Sequence, residues 1–367
     1  MYEIHISDIR TFKSCRRKWN WSSPLREGLE PSVPYVPFFT GRAIHYCLEN
    51  FYGPKHTPML ESLSVFLEVE KGEMERVGKL WPQESELIAE QIVLINGMLQ
   101  HYTEWVEQDI SKWSDKNLDF WKLETEFSVP LRTPNGRPSP RVFLAGRFDG
   151  VVRRKDDGSY WLLEHKTTRS ISELVSSLDN DEQAGAYLIA AGELLSIQPT
   201  GVLYNVMRKK IPTEPMLLQS GLLSQNKQID TTVYAYIRAA QRAHEADFPD
   251  LKERNKFIMD QYGEFLQHLM DQGNKFFLRV PIYRTGMEMQ QLQHDLWTVA
   301  LEMVRPSTPI YPAPSWNNCK FCHFRSPCLA TNSGADVGII LDNEYRKREP
   351  WQTFTELEEE GSNGKTN

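Results

Sequence analysis

The chain lacks any run of 18 apolar residues, so none of its 367 positions starts a helix able to cross a bilayer. Its opening, "MYEIHISDIR", lacks the cationic-then-apolar order of an export signal, and a soluble, cytoplasmic protein is expected. Cysteine is scarce and odd in number, five in a long chain, which excludes a framework of paired disulfides. No G-x-x-x-x-G-K-[ST] occurs, which excludes a P-loop motor, and no internal repeat suggests a solenoid. A basic excess is also missing: the formal net charge is −7, which argues weakly against a nucleic-acid binder. That argument softens once the charge is mapped, because residues 331–367 alone carry eight acids against four bases. Basic clusters remain at "CRRKW" (15–19) and "MRKK" (207–210), and such clusters are most often solvated surface.

What is present reads as a mixed α/β chain. Ser7 is a capping candidate for an N-terminal helix carrying Ile9, Phe12 and Trp19, and the proline-rich 29–39 reads as a connector. In "RAIHYCLENFY", Ile44, Cys47, Leu48 and Phe51 form an apolar stripe, with His45 and Glu49 off its centre and one turn apart. Residues 60–110 are helical by pattern. From 121 the period changes to two: "KLETEFSVPL", "RVFLAGRFDGVV" and "YWLLEHKTT" read as strands joined by the turns "TPNGRPSP" and "RRKDDGS". A helix follows from near Asn180, then a strand "GVLYNVMRKK", then mainly helix over 230–304 interrupted by the strand-like "KFFLRVPIYR". Thr285 is expected to cap "GMEMQQLQHDLWTVALEMV". The polar, acidic residues after 331 are expected to be disordered.

The costly feature is Glu164-His165-Lys166, which follows apolar Trp161, Leu162 and Leu163 in one strand. A buried carboxylate or ammonium must be paired or hold a metal. Residues two apart in a strand share a face, so Glu164 and Lys166 project together and His165 projects oppositely. If the preceding strand pairs with this one, Asp149 in "GRFDG" approaches Glu164. Two carboxylates so close coexist most cheaply around a hard divalent cation. A neighbouring lysine then suits phosphodiester hydrolysis by stabilising negative charge that develops on phosphate. The bland alternative is a surface ion pair between Glu164 and Lys166 on an edge strand.

Asp149, then Glu164 fifteen residues on, then Lys166, resembles the PD-(D/E)XK nuclease superfamily, with Gly-Arg-Phe-Asp standing where that family often has Pro-Asp. His45 in "GRAIHYCLE" matches the upstream helical histidine of the RecB-like branch, and Gln183 with Tyr187 in "QAGAY" matches its Gln-x-x-x-Tyr helix. The resemblance covers about residues 40–210. It implies a restriction-endonuclease-like core, a mixed central sheet flanked by helices. Its implied roles are metal ligation by His45, Asp149, Glu164 and the backbone carbonyl of His165, with Mg2+ or Mn2+ as the ion. Lys166 would be the catalytic lysine, and Gln183 and Tyr187 would steady it or the DNA strand.

Cys319, Cys322 and Cys328 form C-x2-C-x5-C, three thiols suited to a soft-metal site that lacks one ligand. His323, wedged against Cys322, is a poor fourth ligand, and Cys15 a better one. The arrangement resembles RecB-like nucleases with an iron–sulfur domain, such as the AddB-type and CRISPR-associated adaptation nucleases, which implies a [4Fe–4S] cluster with Zn2+ as the alternative. Cys47, on its helix stripe, reads as core. The expected organisation is an N-terminal segment 1–40, a nuclease core 41–215 with a helical insertion over about 55–118, a helical region 216–304, a cluster segment 305–330 and the tail 331–367. The expected activity is a DNA exonuclease of recombination, repair or phage DNA processing, acting on single strands or duplex ends, with partner proteins from those pathways. Alternatives are a structure-selective endonuclease and a non-catalytic DNA-binding accessory protein of the same fold.

Overall fold

In chain order the computed structural model contains β1 (Tyr2–His5), α1 (Ile6–Ser14), α2 (Arg16–Ser22), β2 (Leu29–Pro31), α3 (Phe39–Tyr52), α4 (Met59–Val77) and α5 (Pro82–Gln108). There follow β3 (Leu118–Arg132), β4 (Pro138–Arg154), β5 (Tyr160–Thr168), α6 (Ile171–Val175), α7 (Glu182–Leu195) and β6 (Gly201–Arg208). The remainder is α8 (Val233–Ala243), α9 (Leu251–Asp271), β7 (Phe277–Tyr283), α10 (Gly286–Val304), α11 (Trp316–Cys319), α12 (Arg325–Ser333), α13 (Val337–Glu344) and β8 (Tyr345–Lys347). The structure describes residues 1–32, 39–77 and 82–348, without the side chains of 73–77 and 82–85. The proline-rich stretch 33–38 and the end of the tail, 349–367, lie outside the described residues.

The fold is mixed α/β, a central mixed sheet flanked by helices. The sheet runs β1-β4-β5-β6-β7, with β3 along the other edge of β4. β3–β4, β4–β5 and β6–β7 pair antiparallel, whereas β1–β4 and β5–β6 are parallel. One face is closed by α1, α7 and α10 through Ile9, Phe12, Ala184, Leu188 and Leu296. The other is closed by α3, α4 and α5 through Ile44, Leu48, Phe66, Met98 and Tyr102. α8 and α9 have their own apolar cluster around Tyr236, Tyr262 and Phe265. The two-residue period explains why β5 serves both layers: Leu162 packs on the α7 side, Leu163 on the other.

Two local expectations need correction. The first residues pair with β4 as a strand before the α1 helix begins, which four residues of weak alternation did not signal. The tail is ordered further than its polarity suggested: α13 forms, and β8 pairs antiparallel with β2. The reason is a small apolar cluster in which Tyr345 stacks on Phe324 and Phe324 packs against Trp21, so three aromatic side chains anchor an otherwise acidic stretch. The Thr285 cap is present as a complete capping box with Glu288.

Candidate active site

The site arises where one strand changes partners. β4 pairs with β5 from Arg153 only as far as Gly150↔Leu163, then leaves it and pairs with β1 from Ala145 onward. That parting opens the sheet at Asp149 and frees the backbone N–H of His165. Asp149 Oδ2 accepts that N–H at 2.6 Å, so the carboxylate is pinned at the fork. Gly150 lets β3 close on the fork, since a Cβ there would meet Lys122 O at 3.0 Å and a Leu123 methyl at 2.9 Å.

α3 brings His45 over Asp149, Nδ1 to Oδ1 at 3.2 Å. A third group joins them that the sequence reading did not find. Glu124 falls opposite Asp149 in the β3–β4 register, with its backbone at φ 39°. Carboxylate oxygens of Glu124 and Asp149 and a ring nitrogen of His45 lie within 4.8 Å of one another, a set able to hold a metal ion. Arg147 balances Glu124 at 2.8 Å. The signal was available in principle, because pairing the hairpin about "TPNGRPSP" sets Glu124 across from Asp149. What hid it was the apolar alternation of its neighbours, which assigns Glu124 to the outer face.

Glu164 and Lys166 project together as their spacing requires. Lys166 Nζ donates to Glu164 Oε1 at 2.7 Å and stands 3.4 Å from Asp181 Oδ2, the residue that caps α7. Gln183 Nε2 donates to the same Glu164 oxygen at 3.4 Å, and Gln183 in turn accepts from Arg10 Nη1 at 3.2 Å. Tyr187, one turn on, touches Gln183 and packs edge-on to Phe127. Glu164 Oε2 is buried without a hydrogen-bond partner, an orphaned anionic oxygen of the kind a cation satisfies.

Glu164 and His165, expected as ligands, stand outside the His45–Glu124–Asp149 group. Glu164 Oε1 is taken up by Lys166 and Gln183. The His165 ring points away from the group, with Nδ1 against Asn205 Nδ2 at 3.0 Å, and Asn205 also donates to Tyr102. This residue meets the site through its main chain.

The electrostatics follow from crowding acids in a dry fork. Burial and the Asp149 charge push Glu164 up to about 7, against the pull of Lys166. Burial and Asp149 likewise push Glu124 up to about 8 despite Arg147. Burial opposes ionisation of Asp149 too, but His45 and the His165 N–H outweigh it and hold the carboxyl well below its usual range. Burial works against a charged His45, yet the Asp149 carboxylate overrides it and lifts the imidazole to about 9. Burial lowers Lys166 less than Glu164 and Asp181 raise it, so it remains an ammonium. Burial pushes His165 down to about 3, and it is neutral.

A fork of this kind, with two strand carboxylates and a lysine two residues past the second, is the arrangement the sequence motif implied. A family model described as the PD-(D/E)XK nuclease superfamily matches residues 4–329. The chain belongs to this superfamily. The activity that goes with membership is that of a nuclease. The match also takes in Cys319, Cys322 and Cys328. No curated protein matches the chain.

The cysteines are all unpaired thiols. Among the described residues no group of three or more ligating atoms within 4.8 Å of one another includes any of them, so the four expected cluster thiols do not form a tight shell. They do come from neighbouring segments: Asn318 donates to Ser14 O at 2.9 Å, and Arg17 donates to Cys328 Sγ at 3.4 Å. Burial, with the Cys15 and Cys319 thiols nearby, raises Cys322 above its usual range. Cys47 is fully buried on the α3 stripe. Among the described residues no helix is long and apolar enough to cross a membrane.

Proposed function

We propose that this protein is a deoxyribonuclease that hydrolyses DNA from its ends, in recombination, repair or phage DNA processing. The observation that carries the reading is the Lys166 ammonium held between Glu164 and Asp181, beside the group of His45, Glu124 and Asp149. His45, Glu124 and Asp149 would hold Mg2+ or Mn2+, and Glu164, outside that group as its side chain stands, would join them through its orphaned Oε2. When bound, the ion supplies Lewis acidity and charge at the phosphodiester. Lys166 presents a fixed cation to the negative charge that grows on phosphate during hydrolysis. Gln183 fixes the Glu164 carboxylate, and Tyr187 fixes Gln183. The intact set of Asp149, Glu164 and Lys166 speaks against a purely DNA-binding accessory role.

Digestion of end-labelled linear DNA and of covalently closed circles, with Mg2+ or Mn2+, tests this. Loss of linear DNA with intact circles supports the exonuclease reading. Cut circles would replace it with an endonuclease. No cleavage of any DNA with either ion would overturn it.

We also propose that Cys15, Cys319, Cys322 and Cys328 carry a [4Fe–4S] cluster that ties the two ends of the chain together, as in the RecB-like branch. Asn318 donates to Ser14 O and Arg17 to Cys328 Sγ, so the segments that carry the four thiols lie side by side. Iron and zinc content of anaerobically purified protein tests this: stoichiometric zinc without iron would exchange the cluster for a zinc clasp.

A further inference from the structure

The basic run at 207–210 does not act as one block. Arg208 and Lys210 both bond to Asp230, at 2.8 and 2.5 Å, and share its single negative charge. Lys209 is left out of that arrangement. Its backbone N–H donates to Thr168 O at 2.6 Å, which lays residue 209 beside the end of β5, just past Lys166. Arg169 follows directly and is exposed, while Lys209 is half-buried. Among the described residues neither side chain has a carboxylate partner. Burial and the Arg169 guanidinium both pull the Lys209 ammonium below its usual range, the mark of two cations kept together against repulsion.

We propose that Arg169 and Lys209 form a phosphate-binding pair that grips the backbone of the substrate strand beside the catalytic lysine. The proposal deepens the nuclease reading and rests on it. Two cations with no acid between them are satisfied by an anion, and guanidinium and ammonium are the side chains that suit phosphate. The spacing also fits. At about 3.3 Å per residue, Arg169 begins about 10 Å beyond Lys166 along the strand. DNA advances about 3.4 Å of axis per nucleotide, so the pair meets phosphates roughly two or three nucleotides from the bond presented to Lys166. Lys155, in the turn that precedes β5, marks the opposite end of the same strand.

The test is DNA affinity as a function of salt, measured in EDTA with a short labelled duplex and its single strand. Wild type is compared with Arg169→Gln/Lys209→Gln and with Lys155→Gln. Each lost phosphate contact should lower the slope of log K against log [salt] by about 0.9 for duplex and about 0.7 for single strands. The double variant should therefore lose about 1.8 or about 1.4, and bind on the order of 25- to 60-fold more weakly at about 0.1 M salt. Lys155→Gln should leave the slope unchanged, and Lys209→Arg should keep it. Arg169→Gln alone, at an exposed position, should give half the change and serves if the double variant does not fold. A wild-type slope in the double variant, or an equal loss in Lys155→Gln, overturns the inference while leaving the nuclease reading intact. A wild type that neither binds nor cuts DNA overturns the nuclease reading itself.

Discussion

Asn205→Leu is the perturbation that probes how the active-site fork is held from behind. Asn205 is 1% exposed, and its Nδ2 donates to His165 Nδ1 and to the Tyr102 hydroxyl. Tyr102 shares a hydrogen bond with Tyr52, which accepts from Arg279, so the chain ends on a buried guanidinium. Leucine fills nearly the same volume and removes both donors. Two net hydrogen bonds are lost, about 0.5–1.5 kcal/mol each, and a buried His165 nitrogen is stranded at about 1–3 kcal/mol. Tyr102 keeps Tyr52, and loss of the partnerless Asn205 Oδ1 gives some of this back. A net destabilisation of about 2 kcal/mol results. The melting temperature should fall by about 4–8 °C for a cooperative unit of 150–250 residues. Cleavage should also require more metal, because the His165 N–H is what pins Asp149. The assay is thermal unfolding by circular dichroism, paired with a Mg2+ titration of cleavage. An unchanged melting temperature with an unchanged Mg2+ requirement would refute the idea that this buried network supports the site.

Glu164→Gln should abolish cleavage, by 100-fold or more on the scale of about 10²–10³ seen for lost electrostatic groups. Glu164 is raised from 4.5 to about 7, so its ionisation penalises the fold above its unfolded pKa and in full above about 7; the metal-free variant should gain stability on wild type as pH rises through that window, read as a melting-temperature difference. Lys166→Ala should likewise remove activity while leaving the far-ultraviolet dichroism unchanged, and wild-type cleavage by it would disprove its assignment. His45→Ala should harm Mn2+-supported cleavage at least as much as Mg2+-supported cleavage, since imidazole suits the softer ion. Burial pushes the Cys47 thiol up to about 12, so a thiolate reagent near neutral pH should spare it in the folded protein and label it after unfolding.

By itself the sequence determined what short-range periodicity controls. The two-residue period of β5 put Glu164 and Lys166 on one face and His165 on the other, and the hydrogen bond from Lys166 to Glu164 follows directly. Helical spacing put Gln183 and Tyr187 on one side of α7, where they meet. The buried stripe of α3 was equally local, with Ile44, Cys47 and Leu48 inside. Tertiary structure decided everything that depends on which strand leaves which partner. β4 had to fork between β5 and β1 before His165 N–H was free for Asp149, and β1 was too short to announce itself. Glu124 reached His45 through register and a left-handed backbone, neither of which a pattern of apolar residues encodes. Arg169 and Lys209, forty residues apart, became neighbours only because β5 and β6 run parallel and end together. Charge and polarity described the tail, but three aromatic rings from distant segments decided that residues 337–347 would fold, because burial is settled by what a side chain meets in space.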